Sequence, residues 1–204
     1  MTPAPTARVG LFGGAFDPPH RTHVALAQAA IQQLQLDVLH VVPTGQAWHK
    51  QRPLSAAEHR LAMCQLAFAE IAGVRVDAQE IRRSGPTYTI DTLEALRAQY
   101  PEAKLYVLMG EDQAKALPAW HRAAELGRTA TICVASRPDS EPFNGSDYSE
   151  NALHGFEFVN VQLPPSPLSA TEIRDQTARG YSVSALVFES VARYIDQHHL
   201  YQAA

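Results

Sequence analysis

The sequence predicts an α/β protein: a doubly wound, mainly parallel sheet with helices on both faces. Three observations carry that prediction. Short runs rich in Val, Ile, Leu and Phe recur along the chain, each closed by turn residues, as strands buried on both faces are. Segments with apolar residues at helical spacing alternate with them, the pattern of an open parallel sheet. Glycine, proline and polar residues gather after the runs, where the loops of such a sheet bind ligands.

The first run is RVGLF (8–12). It leaves through GGAFDPPHRTH (13–23) into a segment in which Val24, Ala27, Ile31 and Leu34 share one helical face. The second run, DVLHVVP (37–43), leads into PTGQAWHK and then a stripe of Leu61, Cys64, Phe68 and Ile71. VRVDA (74–78) is the third, and the helix after it, opened by GPTYTIDTL (85–93), carries Ile90, Leu93 and Leu96. KLYVLMG (104–110) and TATICVA (129–135) follow, with GEDQ and LPAWH between them. The sixth run is FEFVNVQL (156–163), followed by PPSPLSATEIR (164–174). Gly180 then marks a break before a last amphipathic helix through Leu186, Val187, Val191 and Ile195. The polar stretch 136–154 has no apolar period and reads as a long mobile loop, a lid if it lies near the site and otherwise a surface insertion.

With 204 residues the chain can form one domain with a full core. We expect a single domain over 1–204, ending in a small helical part at about 165–204. Acidic residues outnumber basic ones, 21 to 17, for a formal charge of −4, so nothing attracts the whole chain to nucleic acid or an anionic membrane. An anionic ligand must be held by a local cluster. No run of about 18 apolar residues predicts a membrane span, and the start, MTPAPTARVG, has no apolar leader region. Two cysteines among apolar residues, Cys64 and Cys133, fit buried thiols in a reducing cytoplasm.

Parallel strands place the loops at their carboxyl ends on one edge of the sheet, so GGAFDPPHRTH, PTGQAWHK, GEDQ and PPSPLSATEIR should meet there. In GGAFDPPHRTH, Gly13 and Gly14 allow a ligand close to the backbone. The helix starting near His20 offers unpaired N–H groups to an anion, and His20 and His23 add ring donors. A proline-rich turn with two surface histidines would look the same. A zinc site would need a Cys or Glu that does not stand nearby. In SATEIR, Ser169 and Thr171 are N-cap candidates, and Arg174 in the first turns opposes the helix dipole unless an anion compensates it. Gly110 and Asp112 in GEDQ suit a ribose hydroxyl or a helix cap. Thr87, Tyr88 and Thr89 present N–H groups and hydroxyls at a helix start, which suits a small carboxylate. Trp120 stacks on a ring or packs in the core.

Together these segments resemble the nucleotidylyltransferase superfamily. GGAFDPPHRTH is similar to its (H/T)-x-G-H signature and SATEIR to its second, Ser/Thr-rich I-R signature. GQAWHK, AEHRLAM, GPTYTIDTL, GEDQ, LPAWHRAAEL and VARYIDQHHLY resemble the bacterial nicotinate-nucleotide adenylyltransferase family, in order, from about residue 8 to 201. The resemblance implies a Rossmann-like nucleotidylyltransferase fold and adenylyl transfer from ATP to nicotinate mononucleotide, giving deamido-NAD and pyrophosphate in NAD biosynthesis. It implies Mg²⁺ carried on the ATP phosphates rather than by side chains, a cytoplasmic enzyme, and no nucleic-acid or membrane partner; homo-oligomers stay open.

The resemblance also implies roles. His20, His23 and Arg174 would be catalytic. Gly13, Gly14, Phe16, His20, His23, Gly110, Asp112, Ser169, Thr171 and Arg174 would hold ATP. Gly14, Ala15, His49, Lys50, Thr87, Tyr88, Thr89 and Trp120 would hold the mononucleotide, with Trp120 stacked on its ring. Two departures stand out: Thr22 replaces the signature's Gly, and Ala170 replaces a Ser or Thr. The competing readings are an adenylyltransferase for nicotinamide mononucleotide or phosphopantetheine, and a non-catalytic nucleotide-binding protein.

Overall fold

The computed structural model describes residues 6–45, 54–136, 141–145, 155–164, 166 and 168–202. Six strands form one sheet: β1 (Arg8–Gly14), β2 (Val38–Pro43), β3 (Val74–Val76), β4 (Lys104–Gly110), β5 (Thr131–Ser136) and β6 (Phe158–Gln162). Their order is β3-β2-β1-β4-β5-β6 and every pairing is parallel. The chain winds outward from β1 to β3, then returns to lay β4 on the other side of β1. A crevice therefore opens beyond the carboxyl ends of β1 and β4, where the winding reverses.

The helices are α1 (Arg21–Leu34), α2 (Ala57–Phe68), α3 (Gln79–Arg82), α4 (Thr89–Gln99), α5 (Glu111–Ala116), α6 (Ala123–Thr129), α7 (Ala170–Ala178) and α8 (Glu189–Gln197), with a 3₁₀ turn at Leu117–Ala119. Side chains alternate along the strands. Leu105, Val107 and Met109 of β4 pack with Val9, Leu11 and the α4 stripe Ile90, Leu93 and Leu96. Tyr106 and Leu108 face the other way, into a core with Phe12, Val24, Ala27, Leu34, Cys64, Phe68, Val191 and Ile195. So α1, α2 and α8 cover one face and α4 to α6 the other. Ala27 and Ala30 of α1 have no exposed surface, so that helix lies close on the sheet. A larger side chain at either would overpack the core, at about 1–3 kcal/mol.

Three expectations change in detail. The inner stripe of α2 is Arg60, Met63, Cys64, Ala67 and Phe68; Leu61 is only half-buried and Ile71 falls beyond the helix end. The helix is rotated because Arg60 has buried partners, described below. Leu186 and Val187 lie in the turn that precedes α8 rather than within it. The stretch 136–154 is not wholly a free loop. Ser136 ends β5, and the backbone of Phe143 exchanges two 2.9 Å hydrogen bonds with the Asn160 side chain on β6. Residues 137–140 and 146–154 lie outside the described residues. No described helix is long and apolar enough to cross a membrane.

Candidate active site

The loop after β1 turns sharply. Phe16 adopts φ +48°, and its ring, 2% exposed, packs edge-on against Phe12, Phe68 and His23. A Cβ at position 14 would stand 3.1 Å from that ring, so glycine suits the turn. Phe16 can therefore offer a ligand its backbone only. The open side of the loop is at Gly13, where a Cβ would meet nothing within 4 Å.

Past the cis Asp17–Pro18 bond, His20 forms the N-cap of α1, with extended backbone. Its N–H donates to Nδ1 of His23 at 3.1 Å, and the two rings lie tilted by 32° with centroids 3.7 Å apart. An Nδ1 that accepts leaves the His23 proton on Nε2. Burial pushes His20 down to about 4, and burial together with His20 pushes His23 well below the ordinary value. Both rings are neutral at pH 7 and act as N–H donors rather than cations. His20 Nδ1 is buried with no partner among the described residues, a deficit that costs about 1–3 kcal/mol in a buried group. The described residues hold no cluster of three or more His, Cys, Asp or Glu.

The second motif docks on this loop. Ser169 caps α7, its hydroxyl accepting from the N–H of Glu172 at 3.1 Å. Arg174 donates through Nη1 to the Asp17 carbonyl at 2.8 Å and through Nη2 to the Thr171 hydroxyl at 2.9 Å. The unfavourable dipole at Arg174 is thus partly answered by the first loop itself. Thr22, in the first turn of α1, shares a 2.7 Å hydrogen bond with the Ser166 hydroxyl ahead of α7. Its φ is not positive, so the β-branch is accommodated in ordinary helical geometry.

Two buried charges hold the loops in place. Arg60, 1% exposed, donates to the carbonyls of Ser55 at 2.9 Å, Ala15 at 2.9 Å and Gly45 at 3.4 Å. Asp17, also 1% exposed, accepts from the Tyr201 hydroxyl at 2.7 Å and the Ser55 N–H at 3.3 Å. Burial lowers the Arg60 pKa while Asp17 opposes that shift, and burial, with Asp17, raises that of Tyr201, which stays a donor. A buried cation and a buried anion survive here because each meets hydrogen-bond partners.

The opposite wall is the start of α4. Tyr88 is its N-cap and Thr89 its first residue. The first N–H groups of a helix lack partners within it, so they can receive an anionic group. Thr87 is buried and its hydroxyl bonds to Glu80. Glu80, 5% exposed, also accepts from Thr92 at 2.9 Å and from the backbone of Gly45. Burial raises its pKa. A Cβ at Gly45 would lie 2.2 Å from the Glu80 carbonyl, so only glycine lets these segments meet. The Tyr88 ring stacks on His121, centroids 4.2 Å apart. Trp120 is half-buried against the α4 side of the core. Gly110 is the N-cap of α5, with open space where a Cβ would be, and Asp112 is exposed in the first turn.

A family model described as cytidylyltransferase-like matches residues 11–176. A relative named "Probable nicotinate-nucleotide adenylyltransferase" from Albidiferax ferrireducens is 53% identical over 97% of this chain and 99% of its own length. This chain belongs to the nicotinate-nucleotide adenylyltransferase family. A relative of the same name from Methylibium petroleiphilum is 41% identical over 98% of this chain and 95% of its own length. The fold also matches solved structures. A Plasmodium falciparum nicotinic acid mononucleotide adenylyltransferase complexed with NaAD superposes with TM-score 0.76 at 18% identity, covering 96% of this chain and 97% of that one. The same enzyme complexed with APC gives 0.76 at 17%. The likeness extends to the Rossmann-like nucleotidylyltransferase fold expected from the motifs.

In this member of the adenylyltransferase family, the structure brings His20, His23, Ser169, Thr171 and Arg174 to one edge, and Tyr88, Thr89 and Trp120 to a second wall. His49 and Lys50 lie outside the described residues. Sequence reasoning missed Arg60, Asp17 and Glu80. The signal for Arg60 was present: it falls one turn before Met63 and Cys64 on the inner face of α2, inside the AEHRLAM segment. No local signal marked Asp17, whose partners at Ser55 and Tyr201 are distant in sequence.

Proposed function

We propose that this protein transfers the adenylyl group of ATP to nicotinate mononucleotide. A phosphate oxygen of the mononucleotide forms a bond to the α-phosphorus of ATP. The bond from that phosphorus to the bridging oxygen breaks, and pyrophosphate leaves with the electron pair. The attacking phosphate is already ionised at pH 7, so no strong base is required, and positioning and charge stabilisation do most of the work. The whole chain acts in this reading as one domain, in the cytoplasm, on two small molecules.

The observation that carries the reading is the Arg174 to Asp17 bond, which docks the second motif on the loop holding the neutral His20–His23 pair. Neutral imidazoles donate N–H bonds to phosphoryl oxygens as charge develops, and the start of α1 adds its dipole. Arg174, Ser169 and Thr171 receive the triphosphate, Gly13, Gly14 and the backbone of Phe16 let it approach, and Gly110 and Asp112 receive the nucleoside. Mg²⁺ carried on the ATP phosphates would offset their charge. Gly14, Ala15 and the N–H groups at Tyr88 and Thr89 receive the mononucleotide and its carboxylate, and Trp120 its ring.

The test is pyrophosphate release with ATP and Mg²⁺ against nicotinate mononucleotide, nicotinamide mononucleotide and phosphopantetheine. The expected result is turnover with the acid mononucleotide and a preference over the amide. Backbone N–H groups satisfy a carboxylate but leave an amide NH₂ unpaired, which costs about 1–3 kcal/mol. Equal kcat/KM for acid and amide, or a preference for phosphopantetheine, would overturn the assignment.

A further inference from the structure

Trp120 and His121 sit on a turn between the 3₁₀ segment and α6, and the residue that follows them is unusual. Arg122, the N-cap of α6, adopts φ +54° and ψ +39°, left-handed backbone that residues with a Cβ seldom take. Its guanidinium is ringed by three carboxylates. Nε donates to Glu125 Oε1 at 2.9 Å, Nη2 to Glu94 Oε1 at 2.6 Å and Glu125 Oε2 at 2.5 Å, and Nη1 lies 3.8 Å from Asp91 Oδ1. Asp91 and Glu94 belong to the first two turns of α4, the helix capped by Tyr88. Glu125 belongs to α6. The group thus ties the start of α4 to the residue next to His121, at the joint where His121 stacks on Tyr88.

Each edge of this guanidinium faces a protein carboxylate, so Arg122 is not poised to grip a substrate phosphate. A single exposed ion pair contributes little, but a forked arginine bridging two helices fixes geometry. Without it, Asp91, Glu94 and Glu125 would repel one another across the α4–α6 joint. We infer that Arg122 is a positioning residue: through these ion pairs it sets the gap between Tyr88–Thr89 and Trp120, and so the affinity for the mononucleotide acceptor, without touching it. This rests on the functional reading above.

The experiment is steady-state kinetics with separate KM values for ATP and nicotinate mononucleotide, paired with hydrogen exchange over residues 117–126. Arg122→Ala should raise the acceptor KM about tenfold, the size of effect contacts between neighbouring groups produce. The ATP KM should stay within about twofold, and amide protection in the turn should fall. Arg122→Lys should recover part of the affinity. Adding Glu94→Gln and Glu125→Gln to Arg122→Ala should also recover part, since the repulsion is removed. Arg122→Gly relaxes the left-handed backbone but lacks the ion pairs, so it should behave like Arg122→Ala. Wild-type affinity in the glycine variant would overturn the inference, as would an unchanged acceptor KM or an equal rise in both KM values. If the wild-type protein released no pyrophosphate with nicotinate mononucleotide, the functional reading would fail. The exchange data would still decide whether Arg122 holds the turn, unchanged protection overturning that.

Discussion

The backbone carbonyl of Asp17 accepts a 2.8 Å hydrogen bond from Arg174, a residue 157 positions further along the chain. The bond joins the two motif segments, and it leaves Arg174 stretched between the first loop and the Thr171 hydroxyl. Arg174→Ala should therefore raise the KM for ATP about 10- to 100-fold, the range for losing a hydrogen bond to a charged group, and leave the KM for the mononucleotide within about threefold. Lysine should substitute poorly, because a point charge cannot fork. Separate KM determinations check this; an unchanged KM for ATP would assign Arg174 to holding the loop alone.

His20 and His23 are expected to serve the transition state. His20→Ala should lower kcat about 10²- to 10³-fold, as loss of a charge-stabilising donor does, with a circular dichroism spectrum like that of the wild type. Near-normal turnover in a folded variant would remove His20 from the chemistry.

The same pair makes stability depend on pH. The folded-state pKa of His20 is pushed down to about 4 from an ordinary 6.5, so the unfolded chain binds more protons between those values. Its contribution to stability is full above about pH 6.5, declines as pH falls through that window, and levels off below about 4. Urea midpoints measured from pH 7.5 to 4.5 should fall, and fall less steeply in His20→Asn. An identical slope in that variant would mean that other groups carry the effect.

Arg60 is expected to be a structural keystone of the site. Arg60→Met fills similar volume but leaves three buried loop carbonyls without their donor and removes the cation whose field reaches Asp17, at about 1–3 kcal/mol for each buried group left unpaired. Adding Asp17→Asn should return part of that loss. Thermal melts of the single and double variants check it, and strictly additive effects would show that the two charges do not depend on each other.

Thr22 is expected to be tolerated where the signature has glycine. Thr22→Gly should cost about 1–2 kcal/mol of stability, from backbone entropy in a helix and the lost bond to Ser166, with kcat/KM within about tenfold. A double-mutant cycle with Ser166→Ala should give a coupling of about 0.5–1.5 kcal/mol. A large gain in activity in Thr22→Gly would show that the threonine obstructs the phosphate site.

By itself the sequence determined the six strands, their parallel stacking and the edge where ligands bind. Apolar runs, helical spacing and turn residues are local properties, and runs such as KLYVLMG admit few other structures. It also marked the candidate site residues, because two histidines at a helix start or a threonine-rich cap needs no distant partner to be noticed. The tertiary structure decided what those residues lean on. Arg60 carries no meaning in the sequence until carbonyls from the loops after β1 and β2 converge on it. Glu80 and Asp17 gain their partners, Thr92 and Tyr201, only on folding. The neutrality of the histidine pair likewise comes from burial by the assembled loops. These are energies of buried charge, set by which distant groups are brought within hydrogen-bond reach, and a residue's own neighbours in sequence carry no record of them.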